Sequence, residues 1–262
     1  MLKVLVIAYY FPPMGLSGVQ RTLKFVKYMK DYNWEPTVIT TDDVGYFAHD
    51  LSLKKELDET NVKVIRVSGK DPNSVLSKFG TIKLPREFIR KVFNKVSQTL
   101  FIPDNKIIWA KKAYQKAEEL LNKESFDVVF VTAPPFSSSY VFSQLKMNYD
   151  IPLVMDYRDL WYESYFAFYP TPFHKSANKK LEYKTLQAAD RVIVTNRKIK
   201  EKLLSDFQFL THNDVVIISH GFDPEDFQIT EAIPKHNNRM VLTYSGIFMV
   251  YNSPEYLLKA FK

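Results

Sequence analysis

The chain has 262 residues, 46% of them apolar and 15% aromatic, which is ample for a packed core and excludes a disordered chain. Its 36 Lys and Arg against 29 Asp and Glu give a net charge of +7, a balance that favours phosphate-bearing or anionic partners without choosing among nucleotide, nucleic acid and lipid headgroup. The absence of cysteine excludes disulfides, thiolate metal sites and cysteine nucleophiles and fits a reducing compartment. No apolar run approaches the roughly 20 residues that span a bilayer, so a cytoplasmic protein, free or on the inner face of the membrane, is the expectation.

In chain order, apolar, β-branched runs at 4–9, 37–40, 62–67, 127–132, 152–156, 191–195 and 215–219 read as strands. They are continuous rather than alternating, the pattern of parallel strands covered on both faces. Between them, residues 18–32 place Val19, Leu23, Val26 and Met29 on one stripe, and Ile107–Leu121 does the same with Ile108, Ala113, Ala117, Leu120 and Leu121. Further helices end at 183–189 and cover 198–207. The alternation predicts a doubly wound, mostly parallel α/β sheet with helices on both faces, a Rossmann-like fold. Residues 231–239, EAIPKHNNR, are polar and turn-rich, and precede a further strand at 240–245, Gly246 and a helix starting near Pro254. This order predicts a first domain over 1–230, a linker over 231–239, and the truncated start of a second Rossmann-like domain over 240–262.

Chemistry-bearing residues gather where strands hand over to helices. The first strand runs into YYFPPMGLSGVQR, in which Gly15 and Gly18 precede or open a helix whose first N–H groups can hold an anion. The dinucleotide fingerprint is incomplete there, so a phosphate loop and a tight turn both remain open. Arg21 falls in the first turn, where a cation opposes the helix dipole unless an anion lies near, either a ligand or a neighbouring carboxylate. Asp156, Arg158, Asp159 and Trp161 follow the strand PLVMD; they read as a site or as a structural ion-pair cluster. The loop TAPPFSSS carries Pro135, Ser137 and Ser138, with the serines as helix caps or as part of an acceptor pocket. Residues 85–100 form a basic amphipathic stretch, able to pack on the domain or to lie on an anionic membrane surface. The five histidines have no metal-ligand spacing, and neither a nucleophile elbow nor a Walker lysine is present, so zinc, hydrolase and P-loop chemistry are not expected.

Taken in order, YYFPPMGLSGVQR, IPDNKIIWAKKA, DVVFVTAPPFSSS, PLVMDYRDLW, LEYKTLQAADRVIVTN and ISHGFDPEDF resemble the family 4 retaining glycosyltransferases of GT-B fold, especially the bacterial branch acting on cell-surface polysaccharides. The resemblance implies an acceptor-side domain and transfer of a sugar from a nucleoside-diphosphate sugar to a saccharide or lipid-linked hydroxyl acceptor, with retention and without a divalent metal or other cofactor. It implies a donor diphosphate beside Gly15, Gly18, Gln20 and Arg21, and an acceptor near Pro135, Ser137, Ser138 and Trp161. Asp156, Arg158 and Asp159 are the implied active-site residues, with Arg158 standing where many members have histidine. The family's nucleotide-sugar residues lie beyond Lys262, so the chain alone is expected to be inactive. A non-enzymatic Rossmann-like module binding nucleotide or nucleic acid is the competing reading, although no nucleic-acid-binding motif supports it.

Overall fold

The computed structural model describes residues 1–15, 17–42, 48–69, 95–164, 167–227, 241–246 and 253–261. It contains two compact units, Met1–Phe222 and Asp223–Lys262. In the first, seven parallel strands form one sheet: β1 Leu2–Ile7, β2 Trp34–Thr41, β3 Lys63–Val67, β4 Val128–Ala133, β5 Leu153–Tyr157, β6 Arg191–Val194 and β7 Val215–Ile217, in the order β3-β2-β1-β4-β5-β6-β7. The strands are short, continuous apolar runs because helices cover both faces; Leu5, Val6, Ile7, Val38, Ile39, Val129, Val131, Leu153 and Met155 are fully buried. Pro36 sits inside β2 opposite Val4, but the ladder to β3 begins only at Thr37, so the missing N–H costs no bond on that side.

The helices of this unit are α1 Ser17–Met29, α2 Leu51–Thr60, α3 Ile107–Leu121, α4 Phe136–Ser143, α5 Pro172–Ala188 and α6 Arg197–Asp206. Local chemistry sets their starts. Asp50 accepts from the Ser52 N–H (2.9 Å), Thr171 precedes Pro172 in the first turn of α5, and Asn196 accepts from the Ile199 N–H (3.0 Å). The stripe expected on α1 is the buried one for Val19, Leu23 and Val26. On α3 the expected stripe is the buried one for Ala113, Ala117 and Leu120, and the expectation is corrected at the helix start, where Trp109 and Ala110 enter the core and Ile108 is exposed. Helix α2 has no comparable stripe in its polar sequence LSLKKELDET, which buries only Leu53 and Leu57.

The chain runs β1, β2, β3 outward on one side, then returns to place β4 beside β1 and continues outward on the other. Connections on the two sides of the β1–β4 pair therefore diverge and leave a crevice at the carboxyl ends of those strands. In the second unit, taken by itself, Pro224–Phe227 is a single 3-10 turn and α7, Glu255–Ala260, a short helix. Residues 241–245, expected as a strand, are not in one and are exposed; a strand needs a pairing partner to hold its backbone groups. The proposed linker 231–239 and residues 85–94 of the basic stretch lie outside the described residues; 95–100 are helical, with Val96 and Leu100 exposed.

Candidate active site

The loop after β1 is anchored by Tyr9 and Phe11, both fully buried, and is stitched to 48–50 by Gly15 N–H to Ala48 O (2.7 Å) and Asp50 N–H to Pro13 O (2.8 Å). Gly15 therefore shapes the loop, and its own N–H is already used. A Cβ at Gly15 would come within 3.2 Å of Ala48 O and of the Asp50 Cβ. The helix then opens at Ser17, Gly18 and Val19, whose N–H groups have no partner within the helix.

Arg158 leaves the end of β5 and turns back across the crevice. It is only 7% exposed, and its guanidinium donates to three backbone carbonyls: Ala133 (3.1 Å), Gly18 (2.8 Å) and Pro134 (2.9 Å). One side chain thus ties the glycine loop, the proline loop after β4 and β5 together. Burial works against its positive charge, while Asp156 and Asp159 work for it. The fit is close, for a Cβ added to Gly18 would lie 2.5 Å from an Arg158 guanidinium nitrogen.

Beneath this layer lies a second arginine. Arg21 grips Asp156 through Nε (3.1 and 3.2 Å to the two oxygens) and Nη2 (2.8 Å), and donates to Ile218 O (2.9 Å) and Ser219 O (3.1 Å). Thr132 adds a hydroxyl to the same carboxylate at 3.3 Å. Asp156 is the anion that accounts for a cation in the first turn of α1: the two side chains are 3% and 1% exposed and bind α1 to β5 and to the chain after β7.

The residues bordering the resulting groove, about 300 Å³ in volume, include Gly15, Ser17, Gly18, Val19, Pro134, Arg158, Asp159 and His220. Four of the residues singled out from sequence, Gly15, Gly18, Arg158 and Asp159, therefore share one groove. Arg21 and Asp156 lie under it, and Gln20 is exposed without lining it. His220, which the sequence offers only within the segment ISHGFDPEDF, also lines the groove. Burial, then the guanidiniums of Arg21 and Arg158, hold its imidazole below the ordinary value, which keeps it neutral at neutral pH.

A second cavity of about 590 Å³ adjoins the first, with Pro134 and Asp159 lining both. Its walls include Trp161 stacked on Phe136, with ring centroids 5.0 Å apart and planes 11° from parallel. Ser137 and Ser138 do not line it and are fully buried. Neither caps its own helix: Asp104, from the loop before α3, accepts from the Ser137 N–H (3.0 Å) and hydroxyl (2.7 Å). The Ser138 hydroxyl has no partner among the described residues, and Pro135 is buried at the start of α4.

Trp161 is held from behind by a buried polar network. Its indole N–H donates to Asn178 (2.9 Å), its backbone N–H to the Tyr157 hydroxyl (3.1 Å), and Tyr157 donates in turn to Glu182, which also accepts the Tyr162 N–H (2.9 Å). Burial is the main cause that pushes the Glu182 carboxyl from an ordinary 4.5 up to about 7, against both of those hydrogen bonds. A folded value above the unfolded one means that the folded chain binds the proton more tightly. Stability should be fully present below pH of about 4.5 and fall by roughly 3 kcal/mol as pH rises through about 7. Urea unfolding across this window should show that fall, and Glu182→Gln should remove it; an unchanged slope in the variant would assign it elsewhere.

A family model described as Glycosyltransferase Family 4 matches residues 18–226. No curated protein matches the chain significantly. Among solved structures, sucrose-phosphate synthase from Thermosynechococcus elongatus is 15% identical with a TM-score of 0.51, the likeness covering 86% of this chain and 49% of that one. MnaA of S. aureus, in a co-structure with UDP, is 14% identical with a TM-score of 0.41, covering 83% and 43% of the two chains. SsfS6, a glycosyltransferase of Streptomyces sp. SF2575, is 13% identical with a TM-score of 0.37, covering 74% and 50%. At these identities the first likeness is one of fold, a GT-B-type Rossmann-like sheet, and the others are weaker. The chain spans about half the length of the structures it resembles.

Proposed function

The chain belongs to glycosyltransferase family 4, and on that premise we propose that its groove at the β1–β4 crevice receives the diphosphate of a nucleoside-diphosphate sugar. The observation that carries the reading is the convergence of the α1 N-terminus, Arg158 and His220 on one open groove of about 300 Å³. Helix N–H groups and a fixed guanidinium offer positive potential where charge grows on a leaving diphosphate, and their geometry is set before the donor arrives. Asp159, exposed on the same rim and without a hydrogen bond among the described residues, would accept a hydrogen bond from the hydroxyl of an incoming acceptor.

The reading assigns sugar transfer to a saccharide or lipid-linked hydroxyl, with retention at the anomeric carbon, in cell-surface polysaccharide or glycolipid synthesis at the cytoplasmic side of a membrane. Retention and this setting rest on the sequence resemblance. The groove residues given above would meet the diphosphate without a divalent cation. Arg21 and Asp156 act here as positioning residues, since their contacts are with each other and with backbone carbonyls. The basic segment 85–100 is proposed as an anionic-membrane contact, and nucleic acid is not a proposed partner. We further propose that turnover needs a more complete second unit, so the 262-residue chain should bind diphosphate without transferring sugar.

Calorimetric titration with inorganic diphosphate tests the groove independently of nucleotide and sugar identity. Gly18→Val, which drives a side chain into the Arg158 guanidinium, should bind it at least tenfold more weakly than the unchanged chain. Equal affinity would remove the groove from the donor site.

A further inference from the structure

The cavity beside the donor groove carries information about the acceptor, an inference that rests on the transferase reading above. We propose that this cavity, behind Phe136 and Trp161, takes the reactive end of the acceptor, and that this end is an uncharged sugar ring whose hydroxyl is presented at Asp159.

Three observations lead there. First, Pro134 and Asp159 line both the groove and the cavity, so a molecule filling the cavity meets the donor at Asp159. The cavity's volume of about 590 Å³ falls within the usual range of ligand sites, about 300–1,000 Å³. Second, its walls combine the stacked Phe136–Trp161 pair with Leu160, Phe168 and Ile199, and place carboxylates between them. Flat apolar walls suit the C–H faces of a pyranose, and a carboxylate accepts from its hydroxyls; a purely hydrocarbon alcohol would leave Asp159 desolvated without a donor.

Third, the ionisable groups that line the cavity are acidic. The chain as a whole carries +7, yet the described lining residues include Asp104, Asp159 and Glu163 and no Lys, Arg or His; the nearby ammonium of Lys95 lies over the Phe168 ring, 5.2 Å from its centroid. Asp104 is occupied at the start of α4, and Glu163 pairs with Lys202 at 2.6 Å. Asp159 is left as the carboxylate facing the junction. A phosphate or uronate carboxylate entering here would be desolvated beside like charge, whereas a neutral hydroxyl gains a charge-assisted hydrogen bond. The aromatic wall is also held rigid, because both N–H groups of Trp161 are bonded to buried partners. A fixed wall favours one ring orientation over a flexible tail.

Saturation-transfer NMR on the 262-residue chain provides the test, with methyl pyranosides of gluco, galacto, manno and 2-acetamido-gluco configuration, their 6-phosphates, and benzyl alcohol. At least one neutral pyranoside should bind at least tenfold more tightly than its own 6-phosphate and than benzyl alcohol. Two cavity-filling variants, Ala167→Trp and Ser164→Phe, should each abolish that binding. Asp159→Arg should narrow or reverse the discrimination against the phosphate. Absence of binding by every neutral pyranoside, equal binding of the phosphates, tighter binding of benzyl alcohol, or unchanged binding in both filled variants would overturn the proposal. Inorganic diphosphate added to the same sample reports on the donor groove alone. Its failure to bind would count against the transferase reading, while pyranoside selectivity would still stand or fall by itself.

Discussion

Asp156→Asn is expected to lower the unfolding free energy by about 3–5 kcal/mol, the cost of leaving a buried charge without its partner. The reason is the place of the pair. Arg21 is 6% exposed and Asp156 is fully buried, their closest contact is 2.8 Å, and the same guanidinium holds the carbonyls of Ile218 and Ser219. Asparagine keeps the shape and the Thr132 contact but removes the charge that solvates Arg21. Arg21→Met should cost a comparable amount, since it strands Asp156 in turn. The double variant Arg21→Met with Asp156→Leu should be less destabilised than the sum of the single changes, because neither charge is then left alone. Urea midpoints at neutral pH read all of these. Single-variant losses below about 1 kcal/mol, the scale of an exposed pair, would mean that water reaches the pair and that it does not organise the site.

Arg158→Ala should combine a loss of stability with a loss of ligand binding. Its three hydrogen bonds go to carbonyls of two different loops and of β4, and Ala133 O keeps only the bond from the Arg158 backbone N–H, which the substitution leaves in place. Unpairing the Pro134 carbonyl at the edge of a wet groove, while the Gly18 carbonyl keeps the Thr22 hydroxyl at 3.4 Å, should cost about 1–3 kcal/mol. The groove also loses its fixed cation, so inorganic diphosphate should bind at least thirtyfold more weakly. Arg158→Lys separates the two effects: it restores a charge but not three directed bonds, so it should recover part of the affinity and little of the stability. Full recovery of both by lysine would reduce Arg158 to a point charge. A variant that unfolds while its folded fraction binds diphosphate normally would make Arg158 a structural residue only.

Much of this was legible from the chain because a doubly wound sheet puts its site residues at strand ends, and strand ends are visible as the places where β-branched runs stop. Gly15, Gly18, Arg158 and Asp159 could be nominated by that rule, and they line one groove. The pairing of Arg21 with Asp156 could only be left open. These residues are 135 apart, Arg21 on the helix that follows β1 and Asp156 on β5, with β4 between those two strands in the sheet, so no local spacing reports the contact. The anion opposite Arg21 was open between ligand and protein; burial answers it, since both side chains are out of reach of the groove.

The serines of α4 illustrate the opposite difficulty. Their position at a helix start suggests capping, but the cap comes from Asp104, a residue in another loop, and the stiff Pro134–Pro135 approach carries no acceptor of its own. Trp109 displaced Ile108 from the core because the face of α3 that docks is set by the sheet beneath it, while α2 was missed because two leucines in ten residues make too faint a stripe. His220 had no chemical pattern around it; only the return of the chain after β7 brings it to the groove.

Titration of the isotope-labelled 262-residue chain with inorganic diphosphate, followed residue by residue through its amide chemical shifts, locates the donor's charge. The proposed site requires the largest shifts at Ser17, Gly18 and Val19, with Arg158 and His220 moving over the same concentration range and all five losing their response in Gly18→Val. Shifts centred instead on the exposed lysines of α5, or unaltered by that substitution, would show that diphosphate is drawn by surface charge alone and that the groove at the β1–β4 crevice is not where a donor binds.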